Sequence, residues 1–128
     1  MFTTSKLILV VEDNEMHMDL ITDVLQLAGY SVLKAVDGEK AMACLKVQDP
    51  DMVISDFNMP NFSGWKLGLW ILEHKKDKKI PIIFLSALLS EEGPPNELDL
   101  GDYYFPKPFE TKKLIQKIEE LLTVKKVE

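Results

Sequence analysis

Acidic residues that follow two apolar segments are the best candidates for chemistry in this chain. The pair Glu12 and Asp13 comes directly after one apolar run, and Asp56 comes directly after another. Such short apolar runs are typical of buried strands, and Asn58 and Pro60 indicate a loop after the second run. In open α/β sheets, ligand sites lie at the carboxyl ends of the strands. The positions of these three carboxylates therefore predict a common site at that edge.

Ser86 and Lys107 extend this candidate site, because each also follows a predicted strand. A serine hydroxyl and a compact lysine ammonium both suit a phosphoryl oxygen. Three carboxylates in one cleft repel one another, and a bound cation or raised pKa values must relieve that repulsion. An all-oxygen site with open positions suits Mg²⁺, which keeps waters and accepts a phosphate. These residue types predict Mg²⁺-assisted phosphoryl transfer to Asp56, which would form an aspartyl phosphate.

Histidine is not required by this chemistry, and neither His17 nor His74 follows a predicted strand. We interpret both as helix residues without a catalytic role. Trp65 and Trp70 fall in a predicted helix, where packing is the simplest interpretation.

Strand and helix patterns alternate along the chain and supply the scaffold for these residues. The predicted strands are 6–11, 31–35, a third that ends at residue 56, 80–85 and 103–105. Helical patterns include an apolar stripe over residues 20–28 and the segments 38–45, 65–74 and 111–122. This alternation predicts one doubly wound parallel sheet of five strands with helices on both faces.

The segment 88–100, between the last two predicted strands, contains Gly93, Pro94 and Pro95. Proline disrupts a helix beyond its first turn, and the residue before a proline is pushed away from the helical region. We therefore predict a short or irregular fourth helix in this segment.

Length, charge and cysteine content limit the class of protein. The 128 residues suit a single domain over 1–128, with 123–128 as a tail or the start of a linker. The net charge of −6 argues against direct nucleic-acid binding. The lone Cys44 suits a reduced, cytoplasmic setting, and we expect neither a signal peptide nor a membrane span.

Four short motifs, each after a predicted strand, resemble the receiver domain of bacterial-type two-component response regulators. They are Val10-Val11-Glu12-Asp13-Asn14; Asp56 with Met59-Pro60 and Gly64; Ser86-Ala87; and Tyr104 with Lys107-Pro108-Phe109. The resemblance covers nearly the whole chain. It implies the flavodoxin-like (βα)5 receiver fold and a role as the acceptor in a His–Asp phosphorelay.

The resemblance also implies roles for the acidic residues and their neighbours. Asp56 would be the phosphoacceptor and would share Mg²⁺ with Asp13, which binds directly, and with Glu12, which acts through water. The main-chain carbonyl of Asn58 would complete the metal site. The side chains of Asn58 and Leu88 would tune hydrolysis of the aspartyl phosphate by controlling water access.

Phosphoryl binding and switching are assigned by the same resemblance. Lys107, Ser86 and the main chain of Ala87 would bind the phosphoryl oxygens, and Ser86 and Tyr104 would form the conformational switch. The expected donor is a sensor histidine kinase or a histidine phosphotransfer protein. The output would be an attached domain or a separate partner, with a homodimer as one assembly. The domain would be a signalling phosphoacceptor rather than an enzyme.

Two other function classes stay open at this point. One is a receiver-like interaction module without phosphorylation, although such a module would normally lack one of the acidic or lysine residues present here. The other is a Mg²⁺-dependent aspartate-nucleophile phosphatase of the haloacid dehalogenase type. That class wants an Asp-x-Asp arrangement after the first strand, where this chain has Glu12-Asp13-Asn14. A nucleotide- or flavin-binding role lacks a Gly-rich phosphate loop.

Overall fold

A five-stranded parallel sheet forms the centre of the molecule. The computed structural model describes residues 5–57, 59, 64–86 and 103–127, with the backbone alone described at 65, 103 and 124–127. The strands are β1 (Leu7–Val11), β2 (Ser31–Ala35), β3 (Met52–Asp56), β4 (Ile82–Ser86) and β5 (Tyr103–Pro106). They are arranged in the order β2-β1-β3-β4-β5, which confirms the predicted doubly wound sheet.

Helices cover both faces of this sheet. In the described part of the chain they are α1 (Glu15–Leu27), α2 (Gly38–Val47), α3 (Gly64–His74) and the C-terminal α4 (Thr111–Val127), with a 3₁₀ turn at Lys76–Lys78. One hydrophobic cluster joins α1 and α4 to the sheet, and a second joins α2 and α3 to the opposite face. None of the helices in these described ranges has the length and apolarity needed to cross a membrane.

The central strands are buried because their apolar side chains pack into the hydrophobic clusters on both faces of the sheet. Along β1, Ile8 and Val10 face the α1 and α4 side, whereas Leu9 and Val11 face the α2 and α3 side. A strand covered on both faces reads as a continuous apolar run, which is why the sequence pattern identified it. The predicted fourth strand is shifted, since β4 begins at Ile82. Proline at the preceding position has no N–H to extend the strand ladder.

The first helix begins earlier than its apolar stripe indicates. Asn14 caps α1, and its side-chain oxygen accepts a hydrogen bond from the backbone N–H of His17 at 3.0 Å. Within the helix, Met18 is buried while Leu20 is 54% exposed, so the predicted stripe identifies only part of the inward face. The earlier start brings the first turn of α1 directly against the residues that follow β1.

Candidate functional site

The three predicted carboxylates lie together at the carboxyl edge of the sheet. β1 and β3 are neighbours, with Val11 opposite Ser55, so Glu12, which follows β1, lies beside Asp56, which ends β3. One oxygen from each of Glu12, Asp13 and Asp56 lies within 4.8 Å of the others. The arrangement is an all-oxygen pocket of the kind that hard divalent cations favour.

Glu12 is the buried member of the acidic pair, at 1% exposure, whereas Asp13 is exposed. Glu12 Oε2 accepts a hydrogen bond from the Asn14 backbone N–H at 3.1 Å. Its Oε1 accepts one from Lys107 Nζ, also at 3.1 Å. Burial raises the pKa of the Glu12 carboxyl and the charge of Asp56 adds to the rise, while the two hydrogen bonds oppose it.

Lys107 connects two of the carboxylates. It lies between β5 and α4, and its backbone N–H donates to the carbonyl of Ser86 at 3.0 Å. Its Nζ lies 3.1 Å from Glu12 Oε1 and 3.4 Å from Asp56 Oδ2. The ammonium therefore sits within hydrogen-bonding reach of any group attached to Asp56.

Asp56 is 7% exposed and is held by its backbone neighbours. Its carbonyl accepts from Ser55 Oγ at 2.9 Å, and the next backbone N–H, that of Phe57, donates to Leu85 at 2.8 Å. Gly64, the first residue of α3, donates its N–H to the Phe57 carbonyl at 2.8 Å. A Cβ at Gly64 would lie 2.8 Å from the Asp56 carbonyl oxygen, so α3 approaches this peptide as only glycine allows.

Ser86 and Tyr104 occupy the two strands on the other side of Asp56. Ser86 ends β4 and is buried. Tyr104 is half-buried on β5, paired with Phe84 on β4. Its ring centroid lies 5.4 Å from that of Phe84 and 5.9 Å from that of Phe57. We call Phe57, Phe84 and Tyr104 the aromatic cluster; it begins one residue after Asp56.

Three other predicted site residues, Asn58, Ala87 and Leu88, lie outside the described residues, as does the predicted fourth helix. The metal, phosphoryl and hydrolysis roles given to them stay predictions.

His17 is a site neighbour that the sequence interpretation missed. It is a helix residue, as predicted, but its Nδ1 lies 3.3 Å from Lys107 Nζ and 3.8 Å from Glu12 Oε2. The sequence feature that indicates this position is Asn14. A helix-capping residue directly after the acidic pair places the first turn of a helix, which includes His17, next to the site. His74, by contrast, ends α3, where its ring stacks on Trp70 at a centroid distance of 4.4 Å.

The site combines a parallel α/β sheet with three carboxylates and a lysine at its carboxyl edge. Residues 8–119 match the family model of the response regulator receiver domain, and the chain belongs to that family. Receiver domains are the phosphoacceptors of two-component signal transduction.

Individual relatives agree with this assignment. The polar-differentiation response regulator DivK of Brucella ovis is 27% identical over 120 residues, covering 92% of this chain and 97% of DivK. The chemotaxis response regulator CheY4 of Vibrio cholerae has a TM-score of 0.79 at 27% identity, with 92% and 99% coverage. The response regulator TrrA of Thermotoga maritima, in complex with Mg²⁺ and BeF, has a TM-score of 0.77 at 33% identity, with 91% and 98% coverage.

Proposed function

We propose that Asp56 is the phosphoacceptor of this receiver domain. The observation that carries the proposal is the environment of the Asp56 carboxylate. It lies with Glu12 and Asp13, which together with Asp56 we call the acidic cluster, and 3.4 Å from Lys107 Nζ. One Asp56 oxygen would attack the phosphorus of the donor and form a P–O bond. The bond between phosphorus and the donor nitrogen or oxygen would break, and its electron pair would leave with the donor. An ionised carboxylate has no proton to lose when it attacks, so this step needs no base.

Mg²⁺ is the proposed cofactor, held by Glu12, Asp13 and Asp56 with the main-chain carbonyl of Asn58. The donor set fits, because oxygens of three carboxylates converge within 4.8 Å, and their combined charge exceeds the single positive charge of Lys107, which contacts Glu12 and Asp56. The TrrA structure, a complex with Mg²⁺ and BeF, supports a magnesium site in this family. When bound, the cation neutralises charge on the phosphoryl oxygens.

Lys107 and Ser86 are the proposed side-chain ligands of the phosphoryl group, together with the main chain of Ala87. The backbone hydrogen bond from Lys107 to the Ser86 carbonyl holds the two strand ends together. Both side chains can donate to phosphoryl oxygens. Ser86 ends β4, the strand beside β3, and Lys107 directly follows β5, the next strand in the sheet. Asn58 and Leu88 are the proposed positions that tune hydrolysis.

Ser86 and Tyr104 are the proposed switch. Phosphorylation would shift the population between two conformations of this region, which a partner reads. The aromatic cluster supports this role, because it packs Tyr104 against the residue next to Asp56. We propose that a histidine kinase or histidine phosphotransfer protein in the cytoplasm supplies the phosphoryl group. The receiver would then control an output domain, a partner protein or a second copy of itself, without turnover of a substrate.

The test is intact-mass measurement after incubation with acetyl phosphate and Mg²⁺. Wild type should gain one labile phosphoryl group, and Asp56→Asn should gain none while keeping its circular dichroism spectrum. Asp77→Asn, an exposed substitution of the same type, serves as the matched control and should label normally. Normal labelling of Asp56→Asn would refute the assignment. Wild type that stays unlabelled would indicate an interaction module, and steady donor turnover would indicate a phosphatase.

A further inference from the structure

Three acceptors surround the ammonium of Lys107. Nζ lies 3.1 Å from Glu12 Oε1, 3.3 Å from His17 Nδ1 and 3.4 Å from Asp56 Oδ2. An ammonium has three N–H donors, so these three contacts can occupy all of them. Two of the acceptors belong to the acidic cluster, whereas His17 comes from α1.

His17 is well placed to hold this position. Its backbone N–H donates to the side chain of Asn14 at 3.0 Å, which anchors the residue at the start of α1. Lys107 Nζ can only donate, so a hydrogen bond between the two side chains requires the His17 tautomer with its lone pair on Nδ1 and its ring proton on Nε2. The distance from the same Nδ1 to Glu12 Oε2 is 3.8 Å, too long for a hydrogen bond. The Lys107 ammonium is therefore the hydrogen-bond partner of His17 Nδ1.

The role of His17 differs from that of the two carboxylates. Glu12 and Asp56 belong to the group of oxygens that could hold a cation, and His17 does not. Cation binding therefore competes with Lys107 for the carboxylates but not for the imidazole. Lysine has a flexible four-carbon stem. A hydrogen bond to His17 that remains when a cation is bound restricts the Lys107 ammonium to the cleft.

We propose that His17 is a positioning residue for phosphoryl transfer, which holds the Lys107 ammonium beside Asp56 through its Nδ1 lone pair. This inference rests on the proposed role of Asp56 and Lys107. It adds a helix residue to a site that is otherwise built from strand ends.

The first test compares initial rates of labelling by acetyl phosphate at saturating Mg²⁺. Loss of one hydrogen bond to a charged group should slow His17→Ala by about three- to tenfold. His17→Asn should recover to within about twofold of wild type, because its Oδ1 can accept from Lys107 at a position close to that of Nδ1. Met16→Ala, an exposed change in the same helical turn, is the control and should label at the wild-type rate.

The second test observes the contact without phosphorylation. The ¹⁵N resonance of His17 Nδ1 should move when Lys107 is replaced in Lys107→Met, because the hydrogen bond to the lone pair is lost. An unchanged resonance in that folded variant would overturn the inference. So would wild-type labelling by His17→Ala, or an Asn variant as slow as the Ala variant. If wild type itself is not labelled, the proposed function fails, and the resonance still reports whether His17 binds Lys107.

Discussion

Glu12 and Asp13 are sequence neighbours with different surroundings. Glu12 is buried and hydrogen-bonded, and its pKa is raised from the ordinary value of 4.5, chiefly by burial. A carboxyl whose pKa rises on folding favours the fold below its unfolded pKa and loses that contribution as the pH rises through the folded pKa. The ionised form of Glu12 therefore disfavours the fold relative to the protonated form, and a cation bound beside it would relieve that penalty.

Asp13→Asn tests this linkage between cation binding and stability. In wild type, saturating Mg²⁺ should stabilise the fold by about 1–3 kcal/mol, because the cation binds the native cluster. In EDTA the variant should melt at or above the wild-type temperature, since one of three repelling charges is gone. Its Mg²⁺-dependent rise in melting temperature should be much smaller. Equal Mg²⁺ effects in both proteins, or none in wild type, would contradict a metal site that includes Asp13.

At the scale of elements, the contact between α3 and the end of β3 controls the backbone at Asp56. The first residue of α3, Gly64, packs against this peptide so closely that an added Cβ would meet three atoms. It would lie 2.8 Å from the Asp56 carbonyl oxygen, 2.9 Å from Phe57 Cα and 3.0 Å from Phe84 Cε1. Two of these atoms are backbone and cannot rotate away, so a side chain there must move α3 or the Asp56 peptide.

Gly64→Ala should therefore lower both stability and function. We expect a loss of about 1–3 kcal/mol in the free energy of unfolding, as for other overpacked sites, measured by urea denaturation. Labelling by acetyl phosphate should slow as well, because the strained peptide carries Asp56.

Gly29→Ala is the matched control for this prediction. Among the described residues, leaving out its two chain neighbours, no atom lies within 4 Å of a Cβ at Gly29. The cost of the substitution comes from the backbone φ of +99°. The Gly29→Ala variant should lose stability but label at the wild-type rate. Gly29 follows α1 at the amino edge of the sheet, opposite to the edge that carries Asp56. Equal labelling rates in both glycine variants would show that the α3 contact does not position Asp56.

On the scale of the complete domain, the aromatic cluster links Asp56, the proposed phosphoacceptor, to β5. Phe57 follows Asp56, Phe84 is fully buried on β4, and Tyr104 lies on β5. The ring centroids of Phe57 and Phe84 are 5.2 Å apart, and both rings contact Tyr104. A change at Asp56 can therefore reach β5 through packed side chains.

Tyr104→Ala should separate phosphorylation from its transmission. The variant should still gain a phosphoryl group, because Tyr104 is not among the proposed phosphoryl ligands. The backbone amide shift changes that phosphorylation causes in β5 and α4 should be much smaller than in wild type, measured by NMR. Tyr30→Ala, which removes a half-buried tyrosine just before β2, is the control. Wild-type shift changes in Tyr104→Ala would exclude Tyr104 from the switch.

The fold class and the acidic residues of the site follow from patterns in the amino-acid sequence. Buried parallel strands read as apolar runs, and their carboxyl ends share one edge in a doubly wound sheet. These two regularities are enough to place Glu12, Asp13, Asp56 and Lys107 at one edge of the sheet. They depend on local patterns and on chain order, both of which are visible in a sequence.

Contacts between elements that are remote in sequence become visible only in the folded chain. The bond between His17 and Lys107 joins residues 90 positions apart. The burial of Glu12 beside an exposed Asp13 and the close approach of Gly64 to Asp56 are equally invisible in the sequence. Helix placement relative to the sheet is set by how two hydrophobic clusters pack, and side-chain patterns along one element carry no measure of that distance.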